Sequence, residues 1–593
     1  MTLPCIHVSL EPYNKLLHSF TEENNTTTEE NVENYTHPIR KRNPPKHLED
    51  YSHFVREEEE EMRNHDCMFL CRFNNVPNTY KQAMRSSEVE KWKSAMKSEM
   101  TSLAENNTYS IVPLPAGKKA VGSRWVYSLK QDPEGNTTHK ARFVAKGFSQ
   151  IPGSDYLETF SPTPKMTTIR LLMQFSAEKD LMVHQLDVRT AYLNAPIDFE
   201  VYINQPEGFK KVSETENLVC KLHKSLYGLK QSGRNWNIVL NKFFQKSGYS
   251  QSKADPCLYF KIEDHTEIFI VVWVDDIVVA ANTEQNLSTI KDKLKDQFRM
   301  KDLGRISWFL GIQFRQTEDG IEIDQSFYLR SILARFQMSD CNPRKTPCET
   351  KPESYEAVDV TDQSEEDVRK YREVVGSLVY AMTCTRPDLA WVVTKLSQHL
   401  SKPTSKDWMM VKHVLRYLKG TMERKLKFSK STNGLKLRGF SDSDWGGSED
   451  KRSTTGYLFC LNDDGGAVSW KSRKQPTVAL STCEAEYMAL VATTQEALFL
   501  KTLVKDFGLS CTEPIQLHGD NQGAISLVKN PVTHEKSKHI DIKFHFIREK
   551  FSEGLIEVDH VPTGDNVADV MTKPPTKVKL DHFKRTMFGG HQL

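Results

Sequence analysis

The chain has 593 residues, 38% hydrophobic, 27% charged and 10% aromatic, and 80 basic side chains against 78 acidic ones leave a formal net charge of +2. This describes a soluble globular protein long enough for roughly three or four domains of about 150 residues, and near-neutrality means that a nucleic-acid partner has to be argued from local patches. No run approaches the roughly 18 to 20 apolar residues of a membrane span, so no membrane partner is expected.

The opening "MTLPCIHVSLEPYNK" lacks the basic and apolar regions of a secretory signal, so export is not expected. Eleven irregularly spaced cysteines make no disulfide framework and read as reduced thiols. Cys67 and Cys71 frame "MFL", but no second ligand pair follows at a zinc-finger distance.

Residues 1–80, with "TEENNTTTEENVEN" and "REEEEEMRNHD", are polar and aperiodic and read as a disordered linker. Helical spacing begins at Val89, Trp92, Met96, Met100 and Leu103. From about 110 to 330 strand-like runs alternate with amphipathic segments. "TPKMTTIRLLMQFSAEKDL" predicts a helix, "MVHQLDV" a strand, and "NLVCKLHKSLYGL" a strand or turn entering a helix that includes Trp236. A connector follows at "CNPRKTPCETKPESYEAVDVTDQSEED". Then come helices in "EDVRKYREVVGSLVYAMTCT" and "DWMMVKHVLRYLKG", and a second mixed segment from "LRGFSDSDWGG" to about 575. Basic residues interleave with aromatics in "KARFVAKGF", "KLHKSLYGLKQSGRNW" and "KSRKQP", a mix suited to phosphate contact and stacking as well as to a plain solvated face.

"WVDDIVVA" sets Asp275 and Asp276 between apolar flanks. The pair reads either as a glycine-free hairpin turn or as a metal site in a sheet covered on both faces. Asp187, read as the end of a strand in "HQLDVRTAYLN", reads alone as a helix N-cap. In combination, an acid from one strand and a pair from a hairpin can hold two magnesium ions, an arrangement suited to in-line phosphoryl transfer.

The ordered blocks "SRWVYSLK", "KARFVAKGFSQ", "YLETFSPTPKMTTIRLL", "HQLDVRTAYLN", "VYINQPEGF", "SLYGLKQSGRNW", "WVDDIVVA" and "KDLGRISWFLGIQF" resemble the reverse transcriptase of copia-type LTR retrotransposons. The resemblance, covering about 90–575, implies an α+β right-hand polymerase (fingers, palm, thumb; 90–330), a thumb/connection region (331–430), an α/β ribonuclease H-like domain (435–575) and a tail (576–593). It makes Asp187, Asp275 and Asp276 the metal-binding palm acids and Tyr192 the aromatic that crowds a ribose 2′-hydroxyl. Lys140, Arg142 and Lys146 become fingers contacts to the incoming triphosphate, which of them being left open, and Gln231 a template or nucleotide contact. Trp273 stands where the family usually has tyrosine, at a position expected to touch the primer end.

"FSDSDWGGSEDKRSTTGYLFC", "STCEAEYMAL", "LHGDNQGAISL" and "DHVPTGDNVADVMTKP" resemble the ribonuclease H of the same elements. This implies a second metal-binding set, Asp442, Glu486, Asp520 and Asp569, with Asp444 and Glu484 as neighbouring alternatives. His560 is a candidate for product release, and His539 is as readily structural. The implied activity is RNA-directed DNA synthesis coupled to degradation of the RNA strand. It would use Mg2+, with Mn2+ as alternative, at two ions per site. The implied partners are RNA template, DNA primer, RNA–DNA hybrid, deoxynucleoside triphosphates and the element's integrase. Cytoplasmic virus-like particles with nuclear entry are the implied location. No "DSG" or "DTG" protease motif, zinc knuckle or integrase metal site occurs, so the chain is expected to be the C-terminal part of a polyprotein. The alternative is a truncated or co-opted copy that binds nucleic acid without catalysis.

Overall fold

The first expected helix forms as α1 (Val89–Glu105) in the computed structural model, which describes residues 76–131, 137–212, 216–351, 355, 364–447, 450–509, 513–530 and 541–590. The expected linker up to residue 75, Cys67, Cys71 and His539 lie outside these. α1 buries Trp92, Met96 and Leu103 against the hairpin of β1 (Ser123–Gln131) and β2 (Thr137–Ala145). Strand alternation turns Ala141, Phe143 and Ala145 inward and puts Lys140 and Arg142 on the other face.

α2 (Met166–Glu178) is buried at every position from Met166 to Ala177, as a helix enclosed between layers must be. It leads into β3 (Met182–Val188), then α3 (Ser232–Lys246), β4 (Leu258–Glu263), β5 (Thr266–Trp273), β6 (Asp276–Ala281), α4 (Glu284–Gln297) and β7 (Met300–Arg305). The sheet order is β7-β3-β6-β5-β4, antiparallel throughout, with Ser250–Gln251 at its edge. One face packs Leu186, Ile270 and Ile277 on Trp236 and Phe244 of α3 and Leu294 of α4. On the other, Phe269 and the α2 residue Phe175 meet Phe507, with ring centroids 5.1 and 4.7 Å away. Cover on both faces explains why these strands read as continuous apolar runs.

A second sheet comprises Trp308–Phe309, Ile312–Thr317, Gly320–Asp324 and Leu426–Ser429. Its last strand arrives after α5 (Glu365–Cys384), α6 (Ala390–Ser397) and α7 (Ser405–Gly420), so the connecting helices return the chain to the preceding sheet. Capping boxes at Ser364/Asp367 and Thr404/Asp407 start α5 and α7.

The last domain has β8 (Arg438–Ser443), β9 (Thr454–Cys460), β10 (Ser469–Lys474), α8 (Thr482–Asp506), β11 (Ile515–Gly519) and β12 (Ile556–His560), in sheet order β10-β9-β8-β11-β12. β8, β9 and β10 are antiparallel, β8, β11 and β12 parallel, and α8 packs across β8, β9 and β11. The layers follow the expected order: an antiparallel sheet packed on helices, a helical connection, and a mixed α/β domain. The expected tail differs: Lys577–His582 and Lys584–Phe588 are helical, Met587 and Phe588 are buried, and Arg585 pairs with Asp464 at 2.6 Å.

Arg170 of α2 ties the three parts together. It donates to Val468 O at 2.7 Å and to Thr383 O at the end of α5 at 2.6 Å, with its guanidinium 3.9 Å from the Trp470 ring centroid. No described helix is long and apolar enough to cross a membrane.

Candidate active sites

Pairing of β3, β6 and β5 sets Asp187 opposite Asp276 and Asp276 opposite Trp273, leaving Val274 and Asp275 as the two-residue turn. The two readings of "WVDDIVVA" are therefore compatible: Asp275 sits in the hairpin turn and Asp276 opens the next strand, which gathers acids at a strand end. Without glycine the turn puts Val274 at φ 52°, a left-handed conformation unusual for a β-branched residue. Such strain costs on the order of 1–3 kcal/mol and persists only where the surroundings impose it. Here Trp236 Nε1 donates to Val274 O at 2.7 Å, and Val188 N donates to Asp275 O at 2.8 Å. Asp187 is not an N-cap, because the next helical turn begins at Ala191 behind Thr190.

All three acids are half-buried. Gln185 Nε2 donates to Asp276 Oδ1 at 3.0 Å and the Tyr227 hydroxyl to Asp275 Oδ2 at 3.1 Å. Burial, and secondly the charge of Asp275, push the Tyr227 hydroxyl well above its ordinary pKa and keep it a donor. Arg142 lies over the Tyr227 ring at 4.8 Å and the Tyr192 ring centroid is 4.6 Å away, so the β1–β2 hairpin and the segment after β3 meet on this tyrosine. Two glycines permit the approach: a Cβ on Gly228 would fall 2.1 Å from Ala145 O, and one on Gly147 2.1 Å from Gly228 O. Tyr227→Phe removes a donor that orients a carboxylate, and incorporation is expected to fall about tenfold with a raised magnesium requirement. A magnesium titration of primer extension checks this.

Three expected substrate contacts need restating. Gln231 is fully buried, its amide donating to Asp155 O at 2.8 Å and accepting from Gln150 Nε2 at 3.0 Å. It therefore braces the loop around Gln150 rather than facing a template. Trp273 is only 7% exposed, and as the cross-strand partner of Asp276 it bears on the acid's placement rather than on a primer through an open face. Lys146 lies past the end of β2, its stem against Gly122, while Lys140 and Arg142 are half-buried on the strand's outer face.

In the last domain the sheet and α8 bring Asp442, Glu486 and Asp520 together, with one oxygen of each within 4.8 Å of the others. Among the described residues these are the acids gathered so closely; the polymerase three converge by register but less tightly. Asp442 is fully buried and its Oδ1 has no hydrogen-bond partner, an orphan that a bound cation would satisfy. Glu486 accepts from Ser443 N at 3.1 Å. Burial, then mutual repulsion, raises the pKa of Glu486; burial chiefly raises that of Asp442 although Lys573 opposes it. Carboxylates in this state fit a hard divalent ion.

The alternatives are also placed. Glu484 lies in the first turn of α8, accepting from Leu480 N at 2.8 Å, and Asp444 accepts from Thr454 N. Asp569 stands outside the group, its oxygens held by Lys573 at 2.9 Å and Lys579 at 2.6 Å. His560 is exposed at the end of β12, paired in register with Gly519 beside Asp520. Tyr227, Gln185, Lys573 and Lys579 are the neighbours that sequence reasoning missed.

The family described as reverse transcriptase (RNA-dependent DNA polymerase) matches residues 106–350. The retrovirus-related Pol polyprotein from transposon TNT 1-94 of Nicotiana tabacum is 39% identical over 523 residues, 87% of this chain and 39% of that protein. A putative transposon Ty5-1 protein of Saccharomyces cerevisiae is 31% identical over 315 residues, 52% of this chain and 100% of its own length. The chain belongs to the Pol polyproteins of copia-type LTR retrotransposons. This Pol chain spans 39% of the tobacco relative and 35% of the Pol polyprotein from transposon RE2 of Arabidopsis thaliana, to which it is 37% identical over 86% of its own length. Among solved structures, the foamy viral protease-reverse transcriptase dRH in complex with double-stranded DNA aligns over 80% of this Pol chain and 70% of that chain, with TM-score 0.44 and 12% identity.

Proposed function

We propose that this Pol chain is an RNA-directed DNA polymerase with an attached ribonuclease H that copies element RNA into DNA and degrades the RNA strand of the hybrid. The observation that carries the reading is the register of Asp187 opposite Asp276 with Asp275 in the adjoining turn. Asp187, Asp275 and Asp276 would hold magnesium in one site, and Asp442, Glu486 and Asp520 in the other. Bound magnesium supplies Lewis-acid stabilisation of the attacking and departing oxygens in phosphoryl transfer.

The side chains supply the rest. Tyr227 and Gln185 fix the carboxylate rotamers, and the strained turn keeps Asp275 at the tip of the hairpin. Tyr192, its ring tilted against that of Tyr227, is the group to crowd a ribose 2′-hydroxyl. Arg142, tethered over the same ring, is the best placed of the three basic fingers residues to meet a triphosphate. Basic patches hold the hybrid mainly through phosphates, so binding weakens as salt rises. His560 assists product release from the nuclease site. Assembly with the element's integrase, in cytoplasmic particles that later deliver DNA to the nucleus, belongs to the same reading.

The test is magnesium-dependent deoxynucleotide incorporation on poly(rA)/oligo(dT) by the purified chain and by Asp275→Ala. Incorporation that disappears in the variant is the expected result, and incorporation that survives it would remove the catalytic assignment. Folded, hybrid-binding protein with no incorporation in either form would favour a co-opted binding copy.

A further inference from the structure

Asp255 is a buried acid that neither acid cluster uses. It sits in the loop "SKADPC", residues 252–257, and is 2% exposed. Three donors converge on it. Oδ2 accepts from Lys165 N at 3.0 Å and from the Thr168 hydroxyl at 2.6 Å, and Oδ1 accepts from Cys257 N at 3.0 Å. The first two donors lie at the start of α2, whose N-cap residue Lys165 makes no side-chain cap, so Asp255 caps that helix from outside. The third leads into the catalytic hairpin. Cys257 O accepts from Val272 N at 3.0 Å, and the next residue, Trp273, is the cross-strand partner of Asp276.

The loop is rooted on the last domain as well. Ser252 Oγ accepts from Ala254 N and Asp255 N, both at 3.1 Å, and donates to Asp506 Oδ2, on the last residue of α8, at 2.6 Å. Lys165 reaches the same helix, its Nζ 3.7 Å from the Phe499 ring centroid. On the basis of the polymerase reading proposed above, we propose that Asp255 is a positioning residue for the polymerase site: it locks the start of α2 and the end of β5 to one loop and so sets where Trp273 and Asp276 stand. It acts through these bonds and not on substrate, from which its burial removes it. An amide in its place has the same shape but turns one acceptor into a donor, which has to face either Cys257 N or the pair of Lys165 N and Thr168.

The experiment compares the full chain with its Asp255→Asn form by rapid-quench incorporation of the first deoxynucleotide on poly(rA)/oligo(dT), and by hydrogen exchange of the peptide spanning 266–276. Asp255→Asn should lower the burst rate by about tenfold or more, since a misplacement of about 1 Å at a reacting centre costs up to about a hundredfold. The KM for deoxynucleotide should stay within about twofold, because no substrate contact is removed. Exchange in 266–276 should quicken while that of the β1–β2 hairpin stays as in the parent. Thr168→Val removes one donor from the same carboxyl group and should act in the same direction with a smaller effect, which keeps the test open if Asp255→Asn fails to fold. A smaller burst amplitude at the parent burst rate would mean fewer folded molecules and a merely structural role. Parental burst rate and exchange in both variants overturn the role of Asp255 alone. A folded parent that incorporates nothing removes the polymerase reading, and with it the site that Asp255 would position.

Discussion

Asp442→Ala is expected to abolish cleavage of the RNA strand of a hybrid while deoxynucleotide incorporation continues at the parent rate. Asp442 is fully buried on β8 and shares its cluster with Glu486 and Asp520, so no neighbouring acid can replace its orphaned oxygen. Removing a member of such a unit costs roughly three orders of magnitude or more. Polymerisation is spared because its acids lie on a separate sheet, on β3 and the β5–β6 turn. Loss of both activities in folded protein would contradict the two-site reading. Stability should move the other way. Burial raises the folded-state pKa of Asp442 and Glu486, so the folded chain holds more protons than the unfolded one above the ordinary carboxylate range. Their contribution is present below that range and is lost as pH rises through the raised values. Without divalent ions, Asp442→Ala should therefore melt no lower than the parent at neutral pH, and its melting temperature should fall less steeply as pH rises.

Asp275 and Asp276 are legible because a carboxylate inside an apolar run contradicts its surroundings, whereas Asp442, in the polar "FSDSDW", is reached only through the family resemblance. Their neighbours were harder to read for physical reasons. Tyr227 reaches Asp275 only because Gly147 and Gly228 let two distant backbones touch, which local spacing does not announce. Gln185 did leave a signal, since residues two apart on a strand share a face, so a glutamine in β3 shares the face of Asp187. Lys573 also left one, four residues after Asp569 on a turn. The resemblance alone picks Glu486 over Glu484, and the structure adds that Glu484 is engaged by Leu480 N at the helix start. The terminal helices were read as a tail because helices of five and six residues are too short to show a period, although Leu580, Phe583 and Met587 recur at helical spacing.

Asp388→Asn should carry the largest cost to stability. Asp388 and Arg386 are both fully buried and joined by two hydrogen bonds of 2.9 and 2.8 Å; Arg424 donates to the same carboxylate at 2.9 Å and the Tyr417 hydroxyl at 2.6 Å. Burial by itself would raise the Asp388 pKa, but Arg386 and Arg424 outweigh it and hold it at about 2. Neutralising one partner leaves buried guanidinium charge uncompensated, a loss of roughly 3–5 kcal/mol. The sign with pH follows: a lowered acid pKa stabilises above the unfolded value of 3.8, and the contribution is lost as pH falls through about 2. The parent should therefore out-melt the variant from neutral pH down to that range, and the two should converge below it. A constant difference across the whole range would mean that the carboxylate's charge is not what holds the turn. The turn lies directly after Thr383 and Cys384, whose carbonyls receive Arg170 from α2 at 2.6 and 3.1 Å. Loosening it should also loosen the junction between the two active domains. Mapped RNA cuts, set by the distance between the sites, should then scatter relative to the primer end while each chemistry alone persists.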